Sequence, residues 1–249
     1  MQGTAYPHSL NPHLKLLPSF PKQPKSHLVF ITTIVISQST SSSEPPATQM
    51  ATPRFLLISL GNPEPYYNTL HSAGHHALAN LQRLLGPSQP GFQRGRFGGS
   101  SCLASVGPKY VMIQSPATMN VSGKWVSKAW KETLGERDPA DLSLLLVHDD
   151  LEEELGFVKT RKWESSHRGH NGVKSVNACL RQADYPGSKW ARICVGIGRP
   201  EEREKATVSN YVLKRMSGHQ WSTLEANAGP GTLECLLAWE EKLVAAAGK

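Results

Sequence analysis

Two runs of buried-type residues, Arg54–Leu60 (RFLLISL) and Leu142–Val147 (LSLLLV), constrain this chain more than any other feature. Neither alternates apolar with polar residues, so each predicts a strand covered on both faces. Such strands belong to parallel sheets, which need helical crossovers. Those crossovers are legible. A helix is expected from Ser72, with Leu78, Leu81 and Leu85 at i, i+3 and i+7, and another over Val121–Lys131, with Trp125 and Trp130 on or near its buried side. A third is expected over Gly172–Gln182, with Val173, Val176 and Leu180 aligned. Lys109–Gln114 and Arg192–Ile197 read as further strands, and Phe157–Trp163 alternates like a strand with one wet face. The tail from Ala206 reads as helical, with a break at Gly229-Pro230-Gly231. Strands alternating with helices predict an α/β fold: a single domain whose twisted, mostly parallel sheet is flanked by helices.

That domain is expected over residues 53–249 of the 249-residue chain. Residues 1–52 are of another kind, with five prolines between Pro7 and Pro24, a polar run Ser37–Ser43, then Pro45 and Pro46. Such a segment buries too little apolar surface to offset its ordering entropy, so a low-complexity, disordered leader is expected. Glu44 is its single acid, as in organelle-targeting leaders, but it has no arginine, which counts against that role. A disordered tail, or sequence upstream of a start at Met50, is the favoured reading. The expected location is cytoplasmic or mitochondrial. Cys102, Cys179, Cys194 and Cys235 are scattered without a C-x-x-C pair, so neither a disulfide framework nor a zinc site is expected. No stretch approaches the roughly 20 apolar residues of a membrane span. The formal net charge of +7 leans toward an acidic partner.

Open α/β sheets bind ligands beyond the carboxyl ends of their strands. Asn62, Tyr66 and His71 follow the first strand run; Met119 and Asn120 follow Lys109–Gln114; Asp149 and Asp150 follow Leu142–Val147. His167-Arg168-Gly169-His170-Asn171-Gly172 precedes a helix. Histidine, aspartate and asparagine recur at comparable points, which suggests convergence on one pocket. A histidine held by an aspartate serves as a general base near neutral pH, and asparagine amides donate to a carbonyl oxygen gaining charge. The histidines and aspartates could instead hold a metal, but their spacing matches no H-E-x-x-H set. No G-x-S-x-G elbow supports a serine nucleophile. Each residue also has a commoner use: Asn62-Pro63 as a turn, Asn120 and Asn171 as helix N-caps, Asp149 as a strand-end turn or cap, and His71 as a surface histidine at a helix start.

Four blocks in order resemble the bacterial-type peptidyl-tRNA hydrolases, most closely the fungal members. They are Leu57-Ile58-Ser59-Leu60-Gly61-Asn62-Pro63 continuing through Tyr66 to His71-Ser72-Ala73-Gly74; Met119-Asn120-Val121-Ser122-Gly123; Val147-His148-Asp149-Asp150-Leu151; and Gly169-His170-Asn171-Gly172. A weaker fifth, Gly196-Ile197-Gly198-Arg199-Pro200, is followed by Val208–Leu213. The resemblance implies hydrolysis of the ester between a peptide's carboxyl end and the 3′ ribose of tRNA, without metal or organic cofactor, by a monomer. His71 would activate water and Asp149 would hold its imidazole. Asn62 and Asn171 would contact the substrate at the scissile ester. Asn120, with Tyr66, Thr118 and Met119, would line the peptide channel, and His170 would bring backbone close to the substrate. Lys159 and Arg161 alternate on one strand, so both should face the same way and track phosphates.

The sequence departs from the family pattern at four points. Thr118 stands where an aromatic usually precedes Met-Asn. The Asn62–His71 spacing is one residue shorter than in typical bacterial members. Cys194 replaces the second basic residue, leaving Arg192 alone and removing one phosphate contact. Trp163-Glu164-Ser165-Ser166 replaces a glycine-rich approach to His170, which predicts a stiffer, bulkier loop. Two rivals compete with the esterase: a non-catalytic RNA-binding paralogue of the same fold, which should lose the base or its orienter, and a metal hydrolase built on His148, Asp149, His167 and His170.

Overall fold

The computed structural model describes residues 54–248. The expected leader, residues 1–52, lies outside the described residues. Seven strands follow one another as β1 (Arg54–Ser59), β2 (Gln93–Phe97), β3 (Ser100–Val106), β4 (Tyr110–Gln114), β5 (Leu142–Asp150), β6 (Val158–Lys162) and β7 (Trp190–Gly196). They form one sheet in the order β2-β3-β4-β1-β5-β7-β6. The central pairings β4–β1, β1–β5 and β5–β7 are parallel, as both-face burial requires. The outer pairings, β2–β3, β3–β4 and β6–β7, are antiparallel. The sheet is therefore mixed, with a parallel centre.

Five helices complete the domain: α1 (Ala73–Leu84), α2 (Ser122–Leu134), α3 (Asn171–Cys179), α4 (Lys205–Leu213) and α5 (Gly218–Ala247). Period-2 alternation in the central strands divides the core. Leu56, Ile58, Leu144 and Leu146 pack with Trp125, Trp130 and Val173 of α2 and α3 on one face. Phe55, Leu57, Leu145 and Val147 pack with Leu78 and Leu81 of α1 and with Leu224 and Leu236 of α5 on the other. Under the first face the rings of Trp130 and Trp163 each lie 4.9 Å from that of Trp190, edge to face. Trp163 thus sinks the start of the loop before His170 into the core.

One hairpin was not anticipated and two local expectations needed correction. The hairpin β2–β3 gave no apolar run, because it is an edge whose arginines face solvent. Its signal is Gly98-Gly99, both at positive φ (57° and 79°), the geometry a two-residue hairpin turn demands. β5 does not stop at Val147 but runs through His148, Asp149 and Asp150, since β7 pairs with each of them. Finally, α5 does not break at Gly229-Pro230-Gly231. A Cβ at Gly229 would stand 2.7 Å from the Cβ of Asn80, and one at Gly231 would stand 2.8 Å from that of Val158. The two glycines bring the helix against α1 and β6, and this close packing overrides their poor helix propensity. The Asn80 amide also donates to the Glu225 carbonyl (3.4 Å) near the point where Pro230 interrupts the ladder. None of the helices among the described residues is long and apolar enough to cross a membrane.

Candidate active site

The parallel strands deliver their polar ends to one cleft of about 620 Å³. Beyond β1 the chain turns through Asn62, whose side chain is buried. Its backbone N–H donates to Ser72 Oγ (3.0 Å), and that hydroxyl donates in turn to the Tyr66 carbonyl (2.9 Å). Asn62 Oδ1 accepts from the Met119 N–H at 2.9 Å. Of the two amide atoms only the oxygen can accept from a backbone N–H, so the amide orientation is fixed and the NH₂ group is left as the donor for a ligand.

His71 lies on the 3₁₀ turn Leu70–Ser72 before α1, and its Nδ1 is 3.0 Å from both oxygens of Asp149 near the end of β5. The carboxylate is 2% exposed and also receives His170 Nε2 at 2.9 Å. Tautomers follow from the partners. His170 Nδ1 accepts from the Val173 N–H (3.2 Å), so Nε2 carries its proton. His71 gives its Nδ1 proton to Asp149 and keeps Nε2 as the basic nitrogen. Burial opposes ionisation of Asp149, but the two imidazoles outweigh it and hold the carboxyl well below the usual carboxylate range. Burial likewise disfavours the His71 cation, yet the charge and hydrogen bond of Asp149 raise its pKa above the ordinary imidazole value.

The cleft gathers Asn62, Tyr66, His71, Thr118, Met119, Asn120, Asp149, Arg161, His170 and Asn171. Lys159 stands outside it, paired with Glu153 at 2.6 Å. The capping reading of the asparagines does not hold: His170 caps α3, Asn171 lies within its first turn, and Asn120 lies inside a 3₁₀ turn before α2. Both amides are exposed on the cleft wall. Arg192 is not a free phosphate contact. It is 1% exposed, and its guanidinium donates to the carbonyls of Lys162, Ser165 and Ser166, bracing the loop that leads to His170. Cys194 is fully buried, with its thiol 3.5 Å from His148 Nε2.

The sequence reading missed Arg199, Arg203 and Lys205, which extend the basic wall of the cleft. For Arg199 the signal was the block Gly196–Pro200, to which no role was given; Arg203 and Lys205 lie beyond it. Arg199 pairs with Glu152, and Arg168 with Glu153 at 2.9 Å.

The four-residue metal set does not assemble. His148 turns both nitrogens to protein partners, and His167 Nδ1 accepts from the Gly169 N–H. Among the described residues His71, Asp149 and His170 bring ligand atoms within 4.8 Å of one another, so a divalent cation could be held there. In this arrangement each imidazole proton already faces the carboxylate, and a cation would have to displace both.

Fold and site together define an α/β protein with a carboxylate-held imidazole and a fixed amide donor at the carboxyl end of its parallel strands. The comparisons with known proteins narrow this. The family model described as peptidyl-tRNA hydrolase matches residues 56–247, and the chain belongs to that family. It is 40% identical over 167 residues to a peptidyl-tRNA hydrolase of Anaeromyxobacter sp. (strain K), spanning 65% of this chain and 78% of the relative. It is 36% identical over 117 residues to a probable peptidyl-tRNA hydrolase of Schizosaccharomyces pombe, spanning 47% and 54%. A crystal structure of peptidyl-tRNA hydrolase from Acinetobacter baumannii shares the fold, with a TM-score of 0.55 and 21% identity, over 80% of this chain and 92% of that one.

Proposed function

We propose that this chain hydrolyses the ester joining the peptide carboxyl to the 3′ ribose oxygen of peptidyl-tRNA. The observation that carries the reading is the His71–Asp149 pair, with His71 Nε2 unengaged by any of the described residues and the Asn62 amide in the same cleft. His71 Nε2 takes a proton from water as the oxygen attacks the ester carbonyl. Asn62, assisted by Asn171, donates to the oxyanion that forms. The imidazolium, stabilised by Asp149, returns the proton to the departing 3′ oxygen, and free peptide and tRNA result. Electrostatic stabilisation by one such amide is worth about 10²–10³ in turnover.

Tyr66, Thr118, Met119 and Asn120 form the wall along which the peptide lies. Arg161 and the cations Arg168, Arg199, Arg203 and Lys205 suit a polyanion read through its phosphates, and Lys159 adds charge behind them. Peptidyl-tRNA is the partner and the working unit is a monomer. A substrate made by ribosomes places the enzyme in the cytoplasm or in mitochondria.

Chemistry by water and imidazole requires no metal. Release of N-acetylated amino acid from blocked aminoacyl-tRNA should proceed at an unchanged rate after the protein is stripped with EDTA and assayed in its presence. Activity lost on stripping and restored by a divalent cation would assign the chemistry to a metal held by His71, Asp149 and His170 instead.

A further inference from the structure

His148 has no part in the mechanism above, yet it is buried and touches the site twice. The reason lies in how the sheet ends. The Val147 carbonyl accepts from the Leu60 N–H beyond β1 (2.8 Å), and the Asp150 carbonyl accepts from the Ile197 N–H beyond β7 (3.0 Å). Carbonyls alternate sides along a strand, so that of Asp149 points toward β1. By that level the chain has already left the sheet toward Asn62, and among the described residues no backbone donor stands opposite. His148 Nδ1 takes the place of the missing strand, 2.7 Å from the Asp149 carbonyl. A carbonyl only accepts, so Nδ1 carries the proton. Nε2 then presents a lone pair to the Cys194 thiol at 3.5 Å, which fixes the tautomer. The same ring packs T-shaped against that of His170, centroids 4.8 Å apart at 73°, and so backs the second imidazole that binds the Asp149 carboxylate.

We infer that His148 is a positioning residue: its Nδ1–H anchors the backbone of Asp149 and thereby sets the carboxylate that holds His71. The inference rests on the general-base reading of His71. Burial, followed by the charge of His170, keeps His148 neutral by lowering its pKa to about 3, so it adds no cation beside the two working histidines. The charged and titratable groups facing it are Asp149 on its own strand, His170 before α3, and Arg192 and Cys194 on β7. Those facing His71 are Asp149 and His170. Cys194, a departure from the family pattern, gains a use here as the donor that keeps His148 in one tautomer.

The test compares His148→Asn with His148→Leu and His148→Phe. Asparagine places an N–H near the position of Nδ1, whereas leucine has its branched shape without the donor. The readout is the NMR titration of the His71 ring, which does not depend on activity, together with kcat and KM on blocked aminoacyl-tRNA. The leucine and phenylalanine variants should titrate His71 at lower pH than wild type. Their kcat should fall about five- to tenfold, the worth of one neutral hydrogen bond, with KM unchanged. The asparagine variant should keep the wild-type titration and most of the turnover. A folded leucine or phenylalanine variant with wild-type His71 titration overturns the inference, as does an asparagine variant that falls as far as leucine. Should neither apolar variant fold, the asparagine variant decides in the same terms. If wild type itself is inert on the blocked substrate, the esterase reading fails, while the titrations still report whether His148 positions Asp149.

Discussion

Replacing His71 by alanine is expected to lower kcat on blocked aminoacyl-tRNA by about 10²–10⁴-fold, the range that a positioned general base contributes. Among the described residues His71 and His167 are the cleft imidazoles whose Nε2 meets no protein hydrogen-bond partner, and of these two only His71 is held by a carboxylate; His170 spends both nitrogens on Asp149 and the α3 backbone. His148 spends its own on Asp149 and Cys194. Neither can take over. His71 is partly exposed, so truncation should leave the fold and tRNA affinity near wild type, and the loss should sit in kcat rather than KM. Steady-state kinetics with a parallel thermal melt separates the two. A variant that retains wild-type turnover would remove His71 from the chemistry.

Asp149→Asn should cost about as much, roughly 10³–10⁴-fold, because it removes orientation and charge together. The asparagine NH₂ can donate to His71 Nδ1, which favours the tautomer with the proton on Nε2, where no proton can be accepted. The pH dependence carries a second signature. In wild type the carboxylate raises the His71 pKa, so kcat/KM should fall as pH drops through a value above the ordinary imidazole pKa. Without the charge the cation loses its support, and burial alone then pushes that acid limb to lower pH. A pH–rate profile of the variant at high enzyme concentration checks both. An acid limb that stays in place would mean that something other than Asp149 sets it.

The pattern that announced the domain was the simplest one. Uninterrupted apolar runs such as Leu142–Val147 occur where a strand is covered on both sides, so the parallel centre was legible. The β6 edge was legible too, in the alternation of Phe157–Trp163, but the opposite edge was not, because Gln93–Phe97 and Ser100–Val106 are half wet and their pairing is stated by two glycines alone. The uninterrupted course of α5 was equally hidden. Gly229 and Gly231 signal a break locally but serve close packing against residues distant in the chain, which no window around Pro230 reveals.

The site divides along similar lines. Asn62, His71 and Asp149 lie at or past the ends of apolar strands, and topology brings those ends together, so strand periodicity singled them out as candidates while their roles came from the family resemblance. Arg192 was misread, since its position in a strand says nothing of which side loops cover it; here the carbonyls of the loop leading to His170 close over the guanidinium. His148 was read as a possible ligand because its type suits a metal. Its actual bonds depend on where β1 ends relative to β5, a register that sequence spacing leaves open.

The central claim is that this cleft cleaves the ester of a peptidyl-tRNA. The most direct measurement gives the full-length protein two substrates side by side, an N-acetylated aminoacyl-tRNA and the same aminoacyl-tRNA with a free amine. The account predicts release of the N-acetylated amino acid, with the free-amine substrate spared. A protein that binds tRNA with the charge dependence of its basic wall yet cleaves neither would contradict it, and would make the chain a binding member of the family that has kept its site residues.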